Sequence, residues 1–197
     1  MMGIKKTLAS LVLAGAVALG GLTGKAKAND ISMKLTADNA CSAFIGNNNS
    51  VSEMIGSLEN YIGKRYIWSA DTWSKENIAD NSYVYIVADS DYNGSDGLLV
   101  DVNSSSNGGV LSGDLRWDVT ATGLGSRGGV PPSLLELTTE IVRANSGANP
   151  SGGWVTNTPC PFTNEEGGIG KILYGEPVPV PDIDPNSRWM WYNSGRD

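Results

Sequence analysis

Histidine is absent from this 197-residue chain, cysteine and phenylalanine occur twice each, and 14 basic side chains stand against 21 acidic ones. Each shortage removes a class of chemistry. Without imidazole there is no Ser-His-Asp or Cys-His activation of a nucleophile, and the commonest general base and nitrogen ligand for zinc are both missing. The two cysteines, Cys41 and Cys160, lie far apart and so lack the closely spaced ligand pairs of a structural zinc site. The negative balance repels phosphate, so nucleic acid and anionic lipid are poor partners, whereas divalent cations and neutral sugars are compatible. Only one long apolar run exists, Leu8 to Leu22, and no second one follows it that could span a membrane.

That run has a specific context. Lys5 and Lys6 precede it and Ala26-Lys27-Ala28 follows, which predicts a secretory signal peptide over residues 1–28 with cleavage after Ala28. Residues 29–197 then form one domain, long enough for a real core. Cleavage removes four lysines and no acid, which makes the exported chain more negative still. The predicted location is outside the cell, at its surface or in a periplasm. In such a compartment a Cys41–Cys160 disulfide is the favoured reading, and closing so long a loop would restrict the unfolded chain by about 4–5 kcal/mol. Two free buried thiols, or an intermolecular link, remain open.

The mature chain reads as many short strands separated by Gly, Asn, Ser, Asp and Pro: Ile31 to Ala37, Ala40 to Gly46, Tyr66 to Ser69, Tyr83 to Ala88, Leu98 to Val102, Leu115 to Ala121 and Arg188 to Tyr192. This pattern predicts an all-β sandwich. In Tyr83 to Val102 the two arms are expected to pair back on each other across an acidic loop, with Asp101 on the opposite side from Val100 and Val102. Trp117 reads as core in alternation with Leu115 and Val119, and Trp189 and Trp191 as packing between the sheets or covering an edge. One segment departs from the strand pattern: Leu134, Leu135, Leu137, Ile141 and Val142 are spaced for a helix over residues 133–145, which Ser133 can cap with Glu136 three residues later.

Taken in order, Thr36-Ala37-Asp38-Asn39, Trp73, the segments YVYIVADSD and GLL, Leu115-Arg116-Trp117-Asp118-Val119, Gly153-Trp154 and Arg188-Trp189-Met190-Trp191 resemble the galactose-binding-like jelly roll of exported bacterial proteins. That domain type occurs as an accessory module of secreted glycoside hydrolases. The resemblance implies a jelly-roll β-sandwich and a role in binding. Resembling proteins continue beyond the last of these motifs into a closing strand, so a sheet edge able to accept a strand from a neighbour is expected here.

The acidic loop is the candidate metal site. Asp89, Asp91, Asn93 and Asp96 place oxygen ligands at alternate positions around a glycine-containing turn, as a Ca²⁺ loop does, and Asp38 and Asp101 are further oxygen donors. A plain solvent-exposed turn has the same composition, and Val100 stands where a helix-loop-helix calcium site has its closing Glu. Both readings stay open. Candidate sugar-stacking residues are Trp68, Trp73, Tyr92 and Trp154, since an aromatic face takes the C–H face of a pyranose; Trp73 also matches a structural position of the resembling domains. Glu136, Glu140, Glu165 and Glu166 read as solvated rather than as an acid pair of a hydrolase. The expected function is a secreted, non-catalytic, carbohydrate-binding module with a calcium-stabilised loop. The alternative is a self-associating subunit of an extracellular matrix, filament or surface layer.

Overall fold

The computed structural model describes residues 10–15, 29–38, 40–59, 69–79, 81–89, 97–106, 108–122, 124, 130–168, 175 and 177–191. Among them are two antiparallel sheets and one helix. Sheet A runs in the order β10 (Val155–Thr156), β9 (Trp117–Thr122), β1 (Ser10–Gly15), β6 (Tyr83–Asp89), β3 (Ala40–Asn47) and β4 (Ser50–Glu59). Sheet B runs β11 (Thr158–Thr163), β12 (Arg188–Trp191), β7 (Gly97–Ser104), β2 (Asn29–Asp38) and β5 (Asp71–Ile78), and β8 (Gly108–Leu111) also pairs with β7.

Alternation builds the core, because successive side chains of a strand point to opposite faces. Ile31, Met33, Leu35 and Ala37 on β2, with Leu98, Val100 and Val102 on β7, meet Cys41, Ala43 and Ile45 on β3, Val84, Ile86 and Ala88 on β6, and Trp117 and Val119 on β9. The chain is therefore an all-β sandwich. Trp117 is core as expected, but Leu115 is exposed, because β9 starts at Trp117 and Leu115 lies in the preceding turn.

Both sheets are also covered from outside. On sheet A, Phe44, Tyr85 and Val87 pack with Leu137 and Ile141 of α1 (Leu134–Asn145). The helix forms where its spacing predicts: Ser133 accepts from the Glu136 N–H at 3.3 Å, and the Ser133 N–H donates to Glu136 Oε2 at 2.8 Å, a complete capping box. Thr138 of α1 accepts the Val51 N–H of β4 at 3.2 Å, so the helix also satisfies part of an edge strand. Glu140, expected to be solvated, is buried and pairs with Arg143 at 2.7 Å. On sheet B, Leu99 and Trp189 pack with Val180 and Ile183. Trp189 thus covers the outer face of sheet B instead of lying between the sheets.

Two expectations are corrected by this layering. The arms Tyr83 to Ala88 and Leu98 to Val102 do not pair with each other: β6 belongs to sheet A beside β3, and β7 to sheet B beside β2. Each is buried on both faces, so each needs strand neighbours within its own sheet, and the connection crosses from one sheet to the other. Asp101 does lie opposite Val100 and Val102, on the outward side of β7. The second correction is the disulfide, since Cys41 and Cys160 are both free. Cys41 points into the core between the sheets, whereas Cys160 packs with the cluster on the outer face of sheet B. A sheet separates them.

Burial pushes the Cys41 thiol far up, and the nearby Asp71 carboxylate adds to the effect. A reductant is therefore expected to leave the melting temperature unchanged, and thiol titration to find Cys41 unreactive until the chain unfolds. A fall in melting temperature with dithiothreitol counts against this layering. Gly56→Val tests the β4–β5 contact: an added Cβ would sit 2.6 Å from Cδ2 of Trp73, so a loss of about 1–3 kcal/mol is expected by denaturant unfolding.

Candidate functional site

Strand register brings the two residues that flank the acidic segment, Asp89 and Gly97, to one end of the sandwich. Asp89, the buried last residue of β6, pairs with Ala40, and Gly97, the first residue of β7, pairs with Asp38. The connection between β6 and β7 therefore starts and finishes beside the end of β2 and the start of β3, with Asp38 and Asp89 at the same end of the sandwich. Asp91, Asn93 and Asp96 of the candidate metal set lie outside the described residues, as does Tyr92. Asp101 does not join them. It pairs with Lys34, about 13 Å along β7 from Gly97. No group of three potential metal ligands is found among the described residues.

The aromatic candidates are not brought together. Trp68 lies outside the described residues. Trp73, on β5, is half-buried against the inter-sheet core, over Gly56. Trp154 is half-buried on the other side of sheet A, its ring 6.3 Å from that of Tyr85, and its indole N–H donates to Asn145 Oδ1 at 2.7 Å. Trp73 and Trp154 thus serve separate apolar clusters.

Carboxylates with raised pKa are the usual mark of acid catalysis, and two are present among the described residues. Asp101 is raised by burial first and by the neighbouring Asp184 second, against Lys34 and the Asn103 hydrogen bond, which lower it; Asp118 is raised by burial. They stand on the outward faces of different sheets. Since stacked sheets are already about 10 Å apart, these two acids cannot flank one glycosidic bond.

A feature that the sequence patterns did not reveal lies in the middle of sheet A. Strand β1 comes from the apolar run that reads as a signal peptide, and it pairs on both sides: Leu11 to Gly15 with Ala88 to Val84, and Ser10 to Gly15 with Thr122 to Trp117. Buried central strands and export signals share the same composition of Leu, Val, Ala and Gly. The walls on either side of β1 are each fixed from behind. Strand β6 is held by its ladder with β3 over Tyr83 to Asp89. Strand β9 is held by buried amides. Asn149 Nδ2 donates to the Thr120 hydroxyl, to Ala121 O at 2.9 Å and to Ser151 Oγ at 2.7 Å, and Asn149 Oδ1 accepts the Gly153 N–H at 2.6 Å. Asn157 Nδ2 adds bonds to Trp117 O at 3.0 Å and Asp114 O at 2.9 Å. Asp114 and Arg116 make a two-point ion pair that shapes the turn into β9 and holds the Asp114 carboxyl below its ordinary pKa.

Strand β2 is anchored independently of β1, at its first residue. Asn29, fully buried, accepts from the Ser104 and Ser105 hydroxyls at 3.1 and 2.9 Å and from the Ser106 N–H at 3.1 Å. The chain is thus tied down at the residue that would become the N-terminus.

Comparison of the chain with family models, with curated proteins and with solved structures finds no match.

Asn149→Ala removes the pin behind β9 and strands the Gly153 N–H; a loss of about 3 kcal/mol is expected in urea unfolding. Asp118→Asn acts in the other direction. A raised folded pKa means that the native state binds the proton more tightly, so the wild-type carboxylate disfavours folding above the ordinary Asp range. The variant is expected to be the more stable at pH 7. Its advantage should disappear as the pH falls through the raised pKa towards the unfolded value near 3.8, which thermal melts across that window will read.

Proposed function

We propose that this chain is an exported, non-catalytic β-sandwich that serves as a subunit of an extracellular assembly such as a filament, matrix or surface layer. One observation carries the reading: a central strand of sheet A is supplied by residues 10–15, which fall within the segment that reads as a signal peptide. Processing then leaves a sandwich whose two-sided burial is intact on β3 and β7 but missing a neighbour between β6 and β9. Unpaired strand flanks favour association with another chain. The placement of Asp101 and Asp118 on separate outward faces supports a binding role over hydrolysis.

Carbohydrate binding with a Ca²⁺-stabilised loop is the second reading. It is supported by the register that brings both ends of the Asp89–Asp96 connection beside Asp38, and by the resemblance to galactose-binding-like jelly rolls.

Light scattering of the exported chain at rising concentration tests the first reading. Growth in mass is expected, and a single monomeric species throughout removes it. For the second, calcium is expected to raise the melting temperature, Asp91→Asn to cancel the rise, and a glycan array to lose signal with chelator. A melting curve indifferent to calcium takes the metal out of the loop.

A further inference from the structure

We infer that the position between β6 and β9 is a strand-acceptor slot, which in the processed protein takes an apolar strand donated in trans by another polypeptide; this rests on the assembly reading above. The slot's dimensions follow from its present occupant. Strand β1 is antiparallel to both walls, so β6 and β9 run parallel to each other, about 9–10 Å apart at two strand spacings. Taking β1 away leaves facing rows of unpaired backbone N–H and C=O groups, which a single extended segment satisfies on both sides. The walls do not depend on β1 to stay in place, since β3 backs one and the Asn149 and Asn157 amides back the other.

The chemistry of the donor follows from what surrounds the slot. Towards sheet B lie Val84, Ile86 and Ala88 of one wall and Trp117 and Val119 of the other, all part of the inter-sheet core. Towards the outside, Tyr85 and Val87 are buried beneath α1, and Thr120 and Thr122 are buried on β9. Both faces of an inserted strand are therefore largely enclosed, and a charge facing sheet B would be desolvated without a partner, while on the outward face Asp118 stands half-buried opposite the Ala14 position. The slot selects an uncharged, apolar or small-residue segment of about six residues, in one direction only, antiparallel to β6 and β9. The sequence SLVLAG of β1 is the pattern it takes.

The test uses the exported chain as the cell delivers it. Mass spectrometry is expected to place its N-terminus at or close to Asn29. Hydrogen exchange is expected to be slow over residues 84–88 and 117–122 in assembled material and fast there once the assembly is dispersed to monomer. A peptide of sequence 8–17 added to the dispersed chain should restore protection in both segments, raise the melting temperature and prevent reassembly. The same peptide carrying Leu13→Lys, whose register position lies between Ile86 and Val119, should bind at least about tenfold more weakly. An exported chain that retains residues 10–15 overturns the proposal, and so does a processed chain that ignores the peptide. Reassembly undiminished by bound peptide also overturns it while leaving the assembly reading standing. Peptide uptake by a chain that never self-assembles supports the slot and removes only that reading.

Discussion

Backbone hydrogen bonding between β6 and β9 is the constraint on which sheet A depends. Apolar side chains on these strands are enclosed from inside by sheet B and from outside by α1 and the segment around Asn149, so water has little access to replace a missing ladder. An unpaired row of amides in such a place costs far more than at a solvated edge. Something extended must lie there. In this structure it is residues 10–15.

The sandwich distributes its side chains so that this position is stiff. Where apolar packing covers the sheet, as beneath α1, Leu137 and Ile141 do the work, and where it does not, buried amides of Asn149 and Asn157 take over. Asn164 plays the same part on the other sheet, donating to Val180 O and Ile183 O and accepting the Val180 N–H, which keeps Val180 and Ile183 over Leu99 and Trp189. Amides suit such places because one side chain offers both donors and acceptors to backbone that no regular ladder reaches.

Much of the fold was legible because alternation and burial go together. The runs of β2, β3, β6 and β7 are apolar in the pattern a pleated strand demands, and the Ser133 to Glu136 spacing marked the start of α1. Strands β4 and β5 were not legible. Their sequences SVSEMIGSLE and DTWSKENI are polar edge strands, and β4 meets β3 with register shifts that break the alternation. Which strand pairs with which was hidden for a different reason. The two-residue period of β6 is satisfied by any antiparallel neighbour, so its separation from β7 into another sheet depends on packing at long range. Cys41 and Cys160 failed in the same way: compartment and count favour a bridge, but only the layering reveals a sheet between them. Of the candidate site, the pairing of Asp38 with Gly97 and of Asp89 with Ala40 is a matter of register, while the separation of Trp73 and Trp154 follows from which side of a sheet each cluster covers.

The antiparallel relation of β1 to both of its neighbours has a geometric corollary. A seat whose two rails point the same way distinguishes the front of an incoming strand from its back, so units joined through it line up nose to tail. Any fibre built in this manner would possess unlike tips, and growth and loss of units at those tips would proceed at different speeds.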